Sequence, residues 1–383
     1  MNILILNWRD VRHPKSGGAE LVTMEHAKGW VRAGHRVTWL TAGYTGSKGE
    51  SIVEGVRFVR RWGSLSVYLY SPFYVLFNAR FFDVIVDEVH GFPFFSPLFT
   101  HKPVVVFIHE IAGEIWDFMF PFPKNILGKL LERWYFRLYR HCLFWTDAPS
   151  TVDELVQRGI SKNQCTAIPC PIITDERLMI KDKRSKKSHS SFIIHHTSKE
   201  KYPTFLFVSR VVRMKGIEEI IKAFSFIART QSEARLWIVG AGQDSYVAEL
   251  KEMMQEYGIE SHVIFFGNVS EKRKYELMSR AHILLHASVK EGWGLVVLEA
   301  AAVGTPAVVY NVAGLKDVVR SGRTGIVIPD NSPREMAREA IRLYSDPDKY
   351  PEFQRNGKVW AAGLTWPRAV KQSLSILTRA IHT

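Results

Sequence analysis

Short apolar runs alternate with amphipathic stretches along this chain, and the alternation predicts its architecture. Residues 3–6 (ILIL), 36–41 (RVTWLT), 83–89 (DVIVDEV) and 103–110 (PVVVFIHE) have the length and β-branched content of buried strands. AELVTMEHAKGWVRAGH, between the first two, has a helical pattern that closes at Gly34. Strand–helix–strand repeats imply right-handed crossovers and a parallel sheet. The texture changes after AIPCPIITDE (167–176): KDKRSKKSHSS (181–191) and HHTSKEKYP are polar and basic, as in a linker or surface excursion. The pattern then restarts with TFLFVSR (204–210), followed by helix GIEEIIKAFSFI, strand RLWIVG, helix SYVAELKEMMQEYG and strand VIFFG. HILLHAS, PAVVY and GIVI supply three further strands, and TWPRAVKQSLSILTRAI (365–381) predicts a last helix. With 383 residues, the expectation is two doubly wound α/β domains, 1–174 and 204–365, joined by a basic segment at 175–203.

Charge adds a constraint on partners. Lys and Arg number 51 against 38 Asp and Glu, a net charge of +13 spread along the whole chain. Such a field suits anionic small substrates or an anionic membrane surface. No nucleic-acid module or basic stripe is present, so nucleic acid is not an expected partner. Cys142, Cys165 and Cys170 lack C-x-x-C spacing, which argues against a disulfide framework or zinc site and for a reducing compartment. MNILILNWRD has no basic leader region, and the uncharged stretch 62–79 carries Pro72 and several polar residues, so neither a signal peptide nor a spanning helix is expected. In 125–145, Lys129, Arg133, Arg137 and Arg140 are spaced by four, four and three, among Trp134, Tyr135, Phe136 and Tyr139. Two readings fit: a basic amphipathic helix on an anionic bilayer, or a helix covering the sheet with its aromatics in the core. The expected location is cytoplasmic, peripheral on the inner face of the plasma membrane.

Candidate chemistry lies at predicted strand ends, where doubly wound folds bind ligands. Gly17 and Gly18, in NWRDVRHPKSGGAEL, lie between the first strand and first helix; glycines admit close backbone approach, and a helix start offers N–H groups to an anion. The stretch is not G-x-G-x-x-G, so a dinucleotide fingerprint is not supported. In SRVVRMKG, Arg210 ends a strand and Lys215 precedes Gly216 and a helix; both could neutralise one diphosphate. In EGWGLVVLEAAAVGTPAVV (291–309), Glu291 and Glu299 stand eight positions apart. On one helix they would lie about 80° off a common face. The pattern instead places Glu291 in a loop, Gly292-Trp293-Gly294 at a helix mouth, and Glu299 inside a helix over Leu295–Val303. DPD at 346–348 matches a metal-binding D-x-D by letters, but its position between two helical segments reads as a helix cap, so no metal is expected.

The E-x7-E element with GWGLVVLEA, together with SRVVRMKG, GGAE, AGHRVTWLT, FFGNVS and SGRTGIVI in that set, resembles the retaining family 4 glycosyltransferases of the GT-B fold. The likeness covers nearly the whole chain. It implies two Rossmann-like domains facing a cleft, with the helix at about 366–383 packing back on the first.

It further implies a nucleotide diphospho-sugar donor (a UDP-, GDP- or ADP-sugar) and no cofactor. Glu299 would accept hydrogen bonds from the ribose hydroxyls, as an ionised carboxylate suits a diol. Glu291 would contact the donor sugar, and Gly292, Trp293, Gly294 and Leu295 would present backbone N–H groups and a helix dipole. Arg210 and Lys215 would stabilise the departing diphosphate, Gly17 and Gly18 would approach it from the first domain, and His109, ending VFIHE, would stand beside the sugar. Asn268 and Val269 would lie near the base. A front-face transfer with retention needs electrostatic stabilisation rather than a protein nucleophile. The acceptor, lipid-linked, glycan or small molecule, would bind the first domain. The alternatives are a nucleotide-sugar epimerase and a catalytically silent nucleotide-sugar binder.

Overall fold

The structure, a computed structural model, describes residues 1–173 and 198–382. The chain forms two compact units, Met1–Ile173 with Thr365–Thr383, and Thr174–Leu364. Most of the 175–203 segment lies outside the described residues.

The first unit holds β1 (Asn2–Leu6), β2 (Arg36–Ala42), β3 (Glu50–Val53), β4 (Val56–Arg61), β5 (Val84–Val89), β6 (Val104–Ile108), β7 (Leu143–Thr146) and β8 (Cys165–Ala167). Their spatial order is β3-β4-β2-β1-β5-β6-β7-β8. Every pairing is parallel except the β3–β4 hairpin. Strands β5 and β6 are buried along their whole length, which explains their unbroken apolar runs. Helix Trp366–His382 belongs to this unit and packs on helix Gly18–Arg32. Trp30 Nε1 donates to Ser373 Oγ at 3.0 Å, and His26 Nδ1 lies 3.0 Å from the same oxygen.

The second unit holds β9 (Thr204–Val208), β10 (Arg235–Val239), β11 (Val263–Gly267), β12 (Ile283–His286), β13 (Ala307–Tyr310) and β14 (Gly325–Ile328). The order β11-β10-β9-β12-β13-β14 is wholly parallel. Strand order therefore reverses between β9 and β12 here, and between β1 and β5 in the first unit. At such switch points the connections leave in opposite directions and open a crevice at the carboxyl ends of the strands.

The single helix expected from the basic spacing in 125–145 is not formed. An α-helix covers Lys124–Tyr135, a 3-10 turn follows at Phe136–Tyr139, and β7 begins at Leu143. Arg137 and Arg140 therefore leave the helical register of Lys129 and Arg133. The aromatics divide: Tyr135, Phe136 and Tyr139 are core residues, whereas Trp134 is exposed. The uncharged stretch from residue 62 contains a helix, Val67–Asn78, with Pro72 inside it. No described helix is long and apolar enough to cross a membrane. In DPD, the Asp346 carboxylate accepts from the backbone N–H groups of Asp348 (3.2 Å) and Lys349 (2.9 Å) at the start of helix Lys349–Gly363.

Candidate active site

The switch point of the second unit gathers the loop after β9 and the loop after β12. Gly216 explains how closely they meet. Its φ is +69°, and a Cβ there would lie 2.0 Å from the carbonyl oxygen of Ala287. Only a residue without a side chain lets the 3-10 turn Arg213–Lys215 lie against the β12 exit. The turn delivers Lys215 Nζ to 2.6 Å from Glu291 Oε1. Glu291 also accepts from Ser288 Oγ at 2.8 Å and from His286 Nε2 at 3.1 Å on the same oxygen. The hydrogen bonds of its carboxylate among the described residues all fall on Oε1, and the side chain is 15% exposed. Burial alone would raise the Glu291 carboxyl, but the Lys215 charge and the His286 hydrogen bond outweigh it and hold the group ionised, below the usual carboxylate range.

Glu291 is fixed from its other side by the loop after β13. Gly314 has φ +78°, and a Cβ there would meet the Glu291 carbonyl oxygen at 2.3 Å. Gly292 is partly exposed, Trp293 is buried, and Gly294 caps helix Leu295–Ala302. Glu299 therefore stands more than one turn inside the helix, with Glu291 outside it. Glu299 Oε2 lies 2.9 Å from Lys274 Nζ. Burial lowers the Lys274 ammonium, but Glu299 and Glu271 outweigh that and hold it above its usual value. Lys274 sits on helix Glu271–Arg280, directly after the exposed Asn268 and half-buried Val269. Arg210 is exposed at the end of β9, and its guanidinium has no partner among the described residues. The segment 240–242 (GAG), just after β10, packs on this loop: Val211 N–H donates to Ala241 O at 2.8 Å.

In the first unit, His109 follows β6 directly and is buried between two carboxylates. Its Nδ1 lies 2.5 Å from Asp147 Oδ2, just beyond β7, and its Nε2 lies 3.1 Å from Glu88 Oε1 on β5. Thr23 Oγ1 and His90 Nε2 reach the same Glu88 oxygen, each at 2.9 Å. Burial by itself would lower the imidazole pKa, but Asp147 and then Glu88 raise it to about 10. His109 is therefore an imidazolium with both nitrogens engaged. Glu88, His90 and His109 also bring ligand atoms within 4.8 Å of one another, a spacing that could hold a metal ion. The ion-pair network uses Glu88 Oε1, and the buried Glu88 Oε2 has no hydrogen-bond partner among the described residues.

Gly17 differs from the expectation of a free anion cradle. Its N–H donates to Glu20 Oε2 at 2.7 Å, and its backbone is extended, so residue 17 itself offers no open donor. Gly18 begins the helix and is exposed. Sequence reasoning missed Lys274, His286, Ser288, Glu88 and Asp147. His286 and Ser288 carry a weak signal, since HAS ends an apolar run just before Glu291; Lys274 carries none, being an ordinary helical lysine in EKRKYEL.

Comparison with known proteins bears on the family and the fold. The family model for glycosyl transferases group 1 matches residues 191–360, and that for Glycosyltransferase Family 4 matches residues 16–176. The chain belongs to the family 4 glycosyltransferases, of the GT-B type. It is 22% identical over 360 residues to the N-acetyl-alpha-D-glucosaminyl L-malate synthase of Bacillus anthracis, covering 90% of this chain and 88% of the relative. It is 28% identical over 178 residues to the D-inositol 3-phosphate glycosyltransferase of Arthrobacter sp. (strain FB24), covering 46% of this chain and 42% of the relative. Among solved structures, sucrose-phosphate synthase from Thermosynechococcus elongatus superposes with a TM-score of 0.75 at 19% identity, covering 99% of this chain and 98% of that one. HepE of Anabaena, in complex with UDP-glucose, gives 0.71 at 17% identity, covering 98% and 99%. These two likenesses concern the fold.

Proposed function

We propose that the protein moves a hexosyl unit from a nucleotide diphospho-sugar to an acceptor, with retention of anomeric configuration and without a metal ion. The observation that carries this reading is the convergence of Lys215 and Glu291 at the β9/β12 switch point, beside the mouth of the helix that holds Glu299. Glu299 takes the ribose diol, Glu291 a sugar hydroxyl, and Lys215 with Arg210 the diphosphate. Lys215 then has two tasks, orienting Glu291 before reaction and meeting charge on the leaving group during it. Groups already placed where charge develops are the most effective kind of electrostatic catalyst. His109, being cationic, acts on the sugar or leaving group as a donor rather than as a base. The UDP-glucose complex of the HepE structure supports a nucleotide-sugar donor, with UDP, GDP and ADP sugars all candidates.

The acceptor binds the first unit in this reading. A lipid-linked acceptor and peripheral attachment to an anionic membrane are part of it, supported by exposed Arg133, Arg137 and Arg140. Thermal-shift screening with UDP, GDP and ADP tests the donor: a nucleotide at 100 times its Kd stabilises by about 2.7 kcal/mol. Absence of any shift with all three would overturn the reading. Proton NMR of the product's anomeric signal tests retention.

A further inference from the structure

The first unit exposes large apolar side chains in two helices. In helix Val67–Asn78 the core-facing residues are Val67, Ser71 and Val75. The opposite side presents Leu69, Phe73, Leu76 and Phe77, each at least 60% exposed. In helix Lys124–Tyr135 the inward residues are Gly128, Glu132 and Tyr135, and the outward ones include Leu127, Leu130 and Trp134. This inverts an ordinary surface helix, which turns its apolar stripe to the core. The carboxylate of Glu132 points inward, accepting from the N–H groups of Ala112 (2.8 Å) and Gly113 (2.9 Å).

The two helices flank one loop. Tyr68 stacks on Phe94 with ring centroids 4.5 Å apart, Phe92 meets Phe95 at 5.2 Å, and Phe95 meets Tyr135 at 6.5 Å. Gly128 allows Trp116 to pack beneath the second helix, where a Cβ would lie 2.4 Å from the indole. Phe92 and Leu98 on the loop are themselves exposed, so the apolar surface runs from one helix to the other. Soluble monomers rarely leave a patch of this extent uncovered.

We propose that this face inserts into an anionic bilayer, with helix Val67–Asn78 lying in the plane of the lipid interface. The charge around it selects this occupant. No charged residue occurs between Arg61, which pairs with Glu50 at 2.9 Å, and Arg80, the cations at the ends of the first segment. Over 114–140 there are five basic residues, Lys124, Lys129, Arg133, Arg137 and Arg140, and three acids. Of those acids, Glu132 is turned inward and Asp117 pairs with Lys129 at 2.5 Å. An apolar face rimmed by cations fits acyl chains beneath anionic headgroups. The same rim repels a second copy of this chain.

The inference rests on the membrane part of the function proposed above and replaces its purely electrostatic attachment with apolar insertion. The test is flotation of the full chain with phosphatidylglycerol-containing and pure phosphatidylcholine vesicles. Wild type is expected to float with both, more strongly with the anionic lipid and with part of the binding surviving high salt. The double variant L69E/F73E should bind at least tenfold more weakly. UDP thermal shift by the same variant should match wild type, which separates loss of the membrane face from loss of the fold or of nucleotide binding. Undiminished flotation of L69E/F73E, or dimerisation by ultracentrifugation with no flotation of wild type, would overturn the proposal.

Discussion

Lys215 Nζ lies 2.6 Å from Glu291 Oε1 although 76 positions separate the two residues in the chain. The contact exists because Gly216 brings its turn against Ala287, and because β9 and β12 are neighbours in the sheet. On the proposed reading, Lys215→Ala removes both the partner of Glu291 and a cation for the diphosphate. Transferase kcat should fall by about 10²–10³, the range for losing one preorganised electrostatic group. Glu291→Gln should fall comparably, and the double variant should lose much less than the product, because the two act as a unit. Steady-state kinetics on the four proteins would show strict additivity if this coupling is wrong.

Glu299 should matter for binding rather than turnover. Hydrogen bonds to a charged group contribute about 1.5–3 kcal/mol, so Glu299→Ala should weaken nucleoside diphosphate binding about 10- to 100-fold. Lys274 keeps Glu271 as a partner at 2.9 Å in that variant, so the fold should survive. Calorimetric titration with UDP measures the change; an unaltered Kd would remove Glu299 from the nucleotide site.

His109 and His26 should shape the pH dependence of stability from opposite sides. His109 is raised to about 10, so its ion pairs contribute fully below about pH 6.5 and are lost as pH rises toward 10. His26, pushed down to about 3 mainly by burial, must fold neutral, so stability also falls as pH drops below about 6.5 toward 3. Urea unfolding followed by tryptophan fluorescence at pH 5, 7 and 9 reads both limbs, since Trp145 lies 4.4 Å from the His26 ring. His109→Asn should flatten the alkaline limb and also alter the acidic one, because the His109 charge helps to lower both His26 and Glu88.

Two glycines separate backbone strain from close approach. Gly216 and Gly258 have nearly the same φ, +69° and +67°, but a Cβ at Gly258 would meet nothing within 4 Å. Gly258→Ala should lose about 1 kcal/mol from its left-handed backbone alone. Gly216→Ala should lose clearly more in urea denaturation, and should lower activity by displacing Lys215. Equal losses for the two would mean that the Ala287 contact yields easily.

The candidate site was legible in part. EGWGLVVLEA revealed a loop acid, a glycine mouth and a helix acid, because glycine placement and apolar run length are local properties. Lys215 was legible as a strand-end cation, but its pairing with Glu291 was not. Lys274 and Asp147 were invisible, since one looks like any surface helical lysine and the other like a strand-end acid. The basic spacing over 125–145 misled because periodicity cannot show where a helix stops. Tyr135 and Phe136 turn into the core, which ends the helix before Arg137.

By itself the sequence determined the alternation of strands and helices, and hence two parallel doubly wound units, because buried strands and amphipathic helices are written in residue spacing. Only the tertiary structure decided which strand ends became neighbours, which carboxylates gained cations, and which apolar residues stayed outside. Those outcomes depend on contacts across 76 positions for Lys215 and Glu291, and 38 for His109 and Asp147. Strand order, set by packing of the whole sheet, brings them together, and no local pattern encodes it.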